Sequence, residues 1–567
     1  MAIQTNEMDH AEWFRDHEIK AALKEHDWKN SAMVAHHCHF DGLIMSHHYD
    51  IVPAFYMCTL SMARPIHGGE ISNALTDVSI HYGSRGKKPG VLERTKNILN
   101  LPDNLMEDLG IYCGQDVEEM MFVFSKLRPK IPDDEMRLIH YTIRAYADPV
   151  LELNRDLAEE VHLDEIGKKQ ALLNELGITD KKQLTSREKF ADRLRALGVE
   201  PPLKTSPRTG NKTYAFAKND LEFQKLEQYY DERVRKLVEA RLIVSTSIEE
   251  TRSKRLISHS TDGPLPIYLS YGKAHTLRWA GGDKMNPQNF GRKSSLRECI
   301  VAPEGHKLVI VDSSQIEARM NAWLAGEEEL VEAFRDERDI YKQFAAEEVY
   351  LCPIEEITAD QRFVGKVCIL GLGYQMGGPK FKYTLNVGSM GPKVFFDEDS
   401  KYHDVVRRYR NRYSNIRKQW YTMQDMIYCM AMDKECKYGP LTFRHNEVSL
   451  PNDMYLRYPN LKAKWDAYRQ EYYDWTYNEK TKIYGGLLTE NIIQALARIV
   501  VAYQALSVAD LYRIVLLVHD EVVLCVPEEL AEQALKDTMK AFCVPPEWAP
   551  DLPVKGEGAI STFYTKP

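Results

Sequence analysis

Two aspartates stand beside apolar, β-branched segments, where they could hold metal ions for phosphoryl transfer. Asp312 follows the apolar run Leu308–Val311. Asp520 lies in a short polar segment between the apolar runs Ile514–Val518 and Val522–Val526. An isolated ionised carboxylate is costly to bury at such a position, and a bound cation relieves that cost. Carboxylates on adjacent strands can hold two Mg²⁺ ions, one activating an attacking oxygen and both stabilising charge on the transferred phosphoryl group. An aspartate that only caps a helix or a turn would explain either position taken alone.

A third segment spaces two cations and two apolar groups four residues apart. These are Arg362, Lys366, Leu370 and Tyr374. On a continuous helix, residues four apart drift by about 40° per step and share one broad face. Cations on that face suit a triphosphate, because they neutralise its oxygens and the charge that develops on a leaving pyrophosphate. A solvated amphipathic helix is the plain alternative, and Gly371 and Gly373 weaken the prediction of a long straight helix.

The elements that must position these residues follow from the periodicity of apolar side chains. The run before Asp312 predicts a strand, and four apolar residues then recur at helical spacing: Ile316, Met320, Trp323 and Leu324. The two apolar runs around Asp520 predict a tight hairpin with His519-Asp520-Glu521 at its tip. The segments between them are mostly helical in pattern. The predicted fold class is therefore α+β, with one sheet interrupted by a large helical insertion.

The first half of the chain divides at a cluster of turn-forming residues. Residues 1–145 mix short apolar runs with polar turns, and Pro129, Pro132 and Asp133-Asp134 precede a charged, helical tract over about 136–260. A basic, turn-rich segment at 203–212 interrupts that tract. Long helices with a basic loop could grip a duplex, and a solvated helical spacer explains the pattern equally well.

Composition predicts a globular protein of several domains. The 567 residues exceed what one hydrophobic core supports, so three or four domains are expected. Ten scattered cysteines without a Cys-x-x-Cys pair favour neither a disulfide framework nor a zinc knuckle. No run approaches the roughly 18 apolar residues of a membrane span, and the first residues lack a signal-peptide pattern, which predicts a cytoplasmic protein. The net charge of −9 leaves room for a basic cleft on an acidic exterior.

Taken together and in this order, the three segments resemble the polymerase motifs of family A DNA polymerases, the bacterial polymerase I and bacteriophage type. They read VDSSQIEARM around Asp312, RFVGKVCILGLGY from Arg362 to Tyr374, and VHDEVV around Asp520. The resemblance extends to residues 275–278, 286–289 and 489–494, and so covers about 300 residues. It implies template-directed DNA synthesis by a right-hand fold. The implied domains are a partial 3′–5′ exonuclease-like domain (1–145), thumb (146–262), first part of the palm (263–335), fingers (336–430) and second part of the palm (431–567).

The resemblance also implies roles for individual residues. Asp312 and Asp520, with the carbonyl of Ser313, would ligate two Mg²⁺ ions, with Mn²⁺ able to substitute, and Glu521 would support that site. Lys366 would donate a proton to pyrophosphate. The implied nucleotide contacts are Gln315, Glu317, Arg362, Lys366, Leu370 and Tyr374, of which Glu317 would fill the space of a ribose 2′-hydroxyl and Tyr374 would guard the template-base position. The implied primer-template contacts are Arg278, Asn286, Gln288, Asn289, Gln494 and His519.

Three positions depart from the family pattern. Leu370 stands where an aromatic residue usually packs on the incoming sugar, Ser313 replaces a usual tyrosine, and Tyr341 replaces a frequent triphosphate-contacting histidine. These changes could tune nucleotide choice without changing the reaction.

Residues 34–44 and 112–116 resemble the second and third motifs of the family's exonuclease domain, which has a ribonuclease-H-like fold. Asp41 and Asp116 would be metal ligands and Tyr112 would orient water, but His37 replaces a usual asparagine and the first motif, Asp-x-Glu on a strand, is not visible. Asp16-x-Glu18 is interpreted as a decoy in a helix-like stretch. Impaired or absent proofreading is expected, through truncation or loss. A metal site built from His36, His37, His39, His47 and His48 is disfavoured, because regular zinc-ligand spacing is lacking.

The leading hypothesis is thus a monomeric DNA polymerase that acts on primer-template DNA with deoxynucleoside triphosphates and admits accessory replication proteins. If it comes from a bacteriophage, it would act in the host cytoplasm. A dedicated 3′–5′ exonuclease is disfavoured by the missing motif. A non-catalytic nucleic-acid clamp would have no need of both Asp312 and Asp520, and a single-subunit RNA polymerase should not retain Glu317.

Overall fold

The computed structural model describes most of the chain. The described residues are 1–84, 86, 90–206, 210–245, 248–259, 263–282, 285–291, 294–388, 391–468 and 470–567. Pro207, Arg208 and Thr209 of the basic segment 203–212 lie outside them. Leu203–Thr205 of that segment form a strand that pairs antiparallel with the strand Lys212–Tyr214.

The described part of residues 1–147 combines helices with two small strand pairs. Its elements are β1 (Ala2–Ile3), β2 (Glu12–Trp13), α1 (Asp16–Lys24), β3 (Ala32–Ala35), α2 (Cys38–Tyr49), β4 (Phe55–Cys58), α3 (Thr59–His67), α4 (Leu75–His81), α5 (Val91–Thr95), α6 (Asp103–Leu127) and α7 (Asp133–Ala147). Strands β3 and β4 are parallel, and β1 and β2 are antiparallel. Helix α7 begins after Pro132 with three acidic residues, which complement the positive end of the helix dipole.

Residues 148–259 are mainly helical, as the sequence predicts. They form β5 (Glu152–Leu153), α8 (Arg155–Glu175), α9 (Lys182–Thr185), α10 (Arg187–Ala196), β6 (Leu203–Thr205), β7 (Lys212–Tyr214), α11 (Leu221–Lys225), α12 (Glu232–Ser245) and α13 (Ile248–His259). Helices α8 to α12 enclose a core of their own, in which Phe190, Phe216 and Phe223 contact one another.

Short strands, one long strand and a run of helices follow. They are β8 (Leu269–Ser270), β9 (Ala280–Gly281), α14 (Ser295–Glu298), β10 (Ile300–Val301), β11 (His306–Ser313), α15 (Ile316–Ala325), α16 (Glu328–Arg335), α17 (Ile340–Phe344), α18 (Ala359–Val367), α19 (Gly378–Val387), α20 (Asp399–Arg412) and α21 (Ser414–Ala431). Helices α15 to α21 surround a second separate core, which contains Phe344, Tyr409 and Tyr413.

Residues 436–482 differ from the sequence prediction, which expected mostly helix between the two aspartates. They form β12 (Cys436–Tyr438), β13 (Leu441–Arg444), β14 (Glu447–Ser449), β15 (Tyr455–Arg457), β16 (Lys462–Asp466), β17 (Glu471–Tyr477) and β18 (Thr481–Lys482). These strands make a four-stranded and a three-stranded antiparallel sheet. Short strands separated by polar turns carry too little periodic signal to be recognised from the sequence.

The last elements complete the main sheet. They are α22 (Gly485–Leu506), β19 (Arg513–Val518), β20 (Glu521–Pro527), α23 (Ala531–Ala541) and β21 (Gly556–Ser561). The sheet is antiparallel with strand order β19-β20-β11-β21, and helices α22 and α23 contribute to the largest core together with residues of α2, α3 and α7. The predicted α+β class, with a sheet interrupted by a large insertion, is confirmed.

Among the described helices, α22 alone is long and apolar enough to cross a membrane. Its apolar window is 78% buried inside the protein, however. Core helices of globular proteins have this composition because they are apolar on nearly every face.

Candidate active site

Asp312 and Asp520 meet at one end of the main sheet. Strand β11 pairs with β20 so that Asp312 lies opposite Glu521, and the backbone N–H of Ser313 donates to the carbonyl of Asp520 at 2.7 Å. The β19–β20 turn contains two residues, His519 and Asp520, with His519 in the left-handed region at φ 55°. The expected three-residue tip was therefore wrong, because Glu521 belongs to the strand and pairs with Val518.

The electrostatics of this corner favour a cation. Burial, and then the neighbouring Asp312 carboxylate, raise the pKa of Asp520 to about 6. Glu521 is fully buried, and burial raises its pKa despite the opposing effect of Lys566. Carboxylates placed together in this way repel one another unless positive charge lies between them.

Lys566, which sequence reasoning missed, supplies one positive charge. Its Nζ lies 2.7 Å from Oδ2 of Asp312 and 2.9 Å from Oε2 of Glu521. The hydroxyl of buried Tyr564 donates to the other Glu521 oxygen at 2.7 Å. A single lysine 254 positions after Asp312 has no local pattern that would mark it, and only the three-dimensional path of the chain brings the two together.

The donor set fits a hard divalent cation. Asp312 and Asp520 offer carboxylate oxygens at adjacent backbone positions, and Ser313 offers a carbonyl beside them. The described residues contain no group of three or more His, Cys, Asp or Glu side chains arranged around one ion. Mg²⁺ is commonly held by one or two carboxylates together with water and substrate phosphates, so two aspartates suffice.

Glu317 projects from the first turn of α15 next to this corner. Its carboxylate accepts a hydrogen bond from Arg278, and both side chains are mostly buried. Gln315 precedes the helix in the left-handed conformation at φ 52°. Arg319, a residue that sequence reasoning missed, is buried one turn further and donates through Nε to the carbonyl of Ser314 at 2.8 Å. The loop between Asp312 and α15 is thereby fixed.

Helix α22 brings further polar groups to Glu317. Burial, and then the Glu317 carboxylate, raise the pKa of Glu490, and Gln494 donates to Glu490 at 3.2 Å. Burial raises the pKa of Tyr374, with additional effects from Glu317 and Glu490. The predicted residues Arg278, Glu317, Tyr374 and Gln494 therefore lie close together, with Glu490 among them.

The predicted triphosphate segment is helical but not straight. Helix α18 carries Arg362 and Lys366 and ends at Val367, after which Cys368–Leu372 form a π-helical turn. The expected single α-helical face through Leu370 is thus wrong, because the wider turn rotates the residues that follow. Arg362 donates to Asp339 at 2.6 Å, and its guanidinium lies 5.3 Å from the ring centre of Tyr341. Tyr341 thus contacts Arg362, consistent with its position in place of a phosphate-contacting histidine.

Two predicted DNA contacts, Gln288 and Asn289, lie on a short turn at Pro287–Asn289, and a third, Asn286, caps it. The Asn286 side chain accepts from the backbone N–H of Gln288 at 3.1 Å, and Asn289 accepts through its carbonyl from Arg252 at 3.1 Å. His519 forms a hydrogen bond with the backbone of Gln288, while burial, Arg278 and Lys566 lower its pKa. This turn therefore lies next to the corner of the sheet that Asp312 and Asp520 form.

The exonuclease-like residues lie apart from the main sheet. Asp41 is on α2, and Tyr112 and Asp116 are on α6. Asp16 and Glu18 lie on helix α1, where Glu18 accepts the backbone N–H of Arg15 at 2.7 Å as a cap, which agrees with their interpretation as a decoy.

The histidines of this region have structural partners. His39 is buried and bonds the carbonyl of Leu269 at 2.9 Å, and burial lowers its pKa to about 3. His36 bonds Thr59 at 2.9 Å. No three-ligand metal cluster occurs here within the described residues.

The sequence and the fold of the chain are similar to those of known proteins. The model of DNA polymerase family A matches residues 178–434. The DNA polymerase of Bacillus phage SP02 is 26% identical over 97% of this chain and 91% of its own length. DNA polymerase I of Pseudomonas aeruginosa is 31% identical over 30% of this chain, which spans 19% of that relative. The POL domain of Pol1 from M. smegmatis, in complex with DNA primer-template and dNTP, has a TM-score of 0.68 at 17% identity, over 97% of this chain and 89% of that one, and shares the fold.

Proposed function

Because the chain belongs to DNA polymerase family A, we propose that it extends a primer on a DNA template by two-metal phosphoryl transfer at Asp312 and Asp520. The observation that carries this assignment is the pairing of β11 with β20, which sets the two aspartates side by side. The divalent ions, when bound, activate the primer 3′-hydroxyl and stabilise charge on the transferred phosphoryl group. Residues 1–145, 146–262, 336–430 and the two palm parts, 263–335 and 431–567, are proposed to be the exonuclease-like, thumb, fingers and palm domains.

The side chains of α18 are proposed to receive the triphosphate. Arg362 now pairs with Asp339, and phosphate oxygens would replace that carboxylate as its acceptor. Lys366, one turn further along α18, would donate a proton to the leaving pyrophosphate. Leu370, within the π-helical turn, and Tyr374, just after it, are proposed to meet the sugar and the base of the nucleotide.

The preference for deoxynucleotides is assigned to Glu317. Arg278 holds its carboxylate by a charge-assisted hydrogen bond, so the side chain is not free to swing away from the sugar. A ribose 2′-hydroxyl would then meet a carboxylate that is held in place. Glu490, held by Gln494, adds a second carboxylate to the same space.

Proofreading is proposed to be impaired in this chain. Asp41, Tyr112 and Asp116 match exonuclease positions, but His37 occupies a position where an asparagine is usual and the first motif, Asp-x-Glu on a strand, is not visible in the sequence. Mg²⁺ as the ion, a monomeric state and action in the cytoplasm are part of the same proposal.

Primer extension tests the assignment. With Mg²⁺ and the four deoxynucleotides, D312A and D520A should each lose about 10³-fold or more in kcat, because each removes a metal ligand. The control is D336A, which removes an exposed aspartate that forms an ion pair with Arg338. Undiminished extension by D312A and D520A would refute the metal-site assignment.

A further inference from the structure

The residues that follow β21 are held against the segment at β10 by backbone hydrogen bonds. The N–H of Ala302 donates to Thr562 at 2.9 Å, and the N–H of Tyr564 donates to Ile300 at 2.8 Å. Tyr564 is fully buried, with the guanidinium of Arg297 lying 4.5 Å from its ring centre. These contacts involve neither Asp312 nor Asp520, and the Tyr564 hydroxyl also donates to the neighbouring carboxylate of Glu521.

Two residues beyond this anchor, Lys566 reaches those carboxylates. Its side chain is 22% exposed, and its ammonium bridges Asp312 and Glu521 at 2.7 and 2.9 Å. Glu521 is turned toward Tyr564 as well, whereas Asp312 is the proposed metal ligand. The Lys566 ammonium thus pairs both with Asp312, the proposed metal ligand, and with the buried carboxylate of Glu521 beside it.

We propose that Lys566 is a tethered counter-cation that competes with divalent metal for Asp312 and so sets the metal concentration at which the site loads. A divalent ion carries twice the charge of an ammonium and displaces it from Asp312. Lys566 then stays paired with Glu521, which is thereby neutralised rather than left as a third ligand. The inference rests on the proposed metal site at Asp312 and Asp520.

Direct Mn²⁺ binding to the DNA-free protein tests the competition without reference to activity. Free Mn²⁺ is followed by electron paramagnetic resonance during titration of the parent and of K566M, which removes the charge and keeps the length of the side chain. K566M should bind the Asp312-dependent Mn²⁺ about tenfold more tightly, the effect of removing one charge-assisted hydrogen bond to the competing carboxylate. K566R keeps the positive charge and should therefore bind Mn²⁺ less tightly than K566M.

A matched substitution separates the site from general charge effects. Lys555 pairs with Glu337 at 2.7 Å on the surface, so K555M removes an equivalent ion pair and should leave Mn²⁺ affinity unchanged. K566Q serves as a second neutral variant should K566M fail to fold, as judged by circular dichroism. The Mg²⁺ concentration that gives half-maximal extension should fall by the same factor in the neutral variants.

The outcomes also separate this inference from the proposed function. Equal or weaker Mn²⁺ binding by a folded neutral variant, together with loss of that binding in D312A, would overturn the role of Lys566 and leave the metal site standing. Mn²⁺ binding that D312A does not change would overturn the metal site itself, and the competition with it.

Discussion

Replacing Arg498 with methionine should destabilise the core between α7 and α22 by about 3–5 kcal/mol. Arg498 is 1% exposed on α22, and its Nη1 lies 2.5 Å from Oε1 of Glu135 on α7. Glu135 also accepts hydrogen bonds from Tyr271 and from Asn452, the latter at 2.6 Å. Methionine fills much of the same space, so the loss comes from leaving a buried carboxylate without its cation.

The pH dependence of this loss has a definite sign. Burial alone would raise the pKa of Glu135, but Arg498 and the other donors hold it below its ordinary value. The parent therefore gains stability from Glu135 above the ordinary carboxyl pKa and loses it as pH falls through the lowered one. Without Arg498, burial should raise that pKa, so the deficit of R498M should be larger at pH 8 than at pH 5.

Differential scanning calorimetry suits the measurement, because a chain with three main cores need not unfold in one step. The transition of the largest core should fall by roughly 10 °C in R498M. Adding E135Q to R498M removes the stranded charge and should recover at least half of the loss. A loss below about 1 kcal/mol, or a double variant no more stable than R498M, would refute the claim that this pair is a buried, coupled unit.

Two further substitutions test the assignments at other sites. E317A should raise kcat/KM for ribonucleotides relative to deoxynucleotides by about 10- to 100-fold, because it removes the acid proposed to meet the 2′-hydroxyl. The control E332A, at an exposed glutamate, should leave this ratio unchanged. Single-nucleotide kinetics measure the ratio, and an unchanged ratio in E317A would mean that Glu317 does not select the sugar. D41N should be more stable than the parent at pH 8 and equal to it near pH 4. Burial raises the pKa of Asp41 to about 6, and a raised carboxyl pKa lowers the stability of the folded protein as pH rises through that value. Melting temperatures of D41N and the parent that are equal at both pH values would contradict this reasoning.

The main sheet and its two aspartates could be predicted because their signals are local. Val309, Ile310 and Val311 precede Asp312 in consecutive positions, and a β-branched run of this kind favours a strand in almost any context. The two apolar runs around Asp520, separated by a short polar segment, predict a hairpin without knowledge of the rest of the chain. The expected hairpin tip was one residue too long, because Glu521 looks like a turn residue until its partners Tyr564 and Lys566 are known.

The remaining features depend on pairs far apart in the sequence. Arg498 and Glu135 are 363 positions apart, and Lys566 and Asp312 are 254 apart. No residue near these four predicts which partner each of them has, although the apolar neighbours of Arg498 favour its burial. The π-helical turn after Val367 was hidden for a similar reason, because the four-residue spacing from Arg362 to Tyr374 is compatible with an unbroken helix.

Helix α22 connects these observations, because Glu490, Gln494 and Arg498 follow one another at four-residue spacing on an otherwise apolar helix. Glu490 lies near Glu317, Gln494 contacts Thr276, and Arg498 pairs with Glu135. Glu490 and Arg498 are about 12 Å apart along the axis, two turns of a helix that is buried on most sides. A rigid helix should confine each loss to its own end. Folded R498M, assayed below its transition, should therefore keep the parent's discrimination between deoxynucleotides and ribonucleotides, whereas E317A should lose discrimination at little cost in stability. A change of sugar selectivity in R498M would show instead that the buried ion pair positions Glu490, and that the two ends of α22 are coupled.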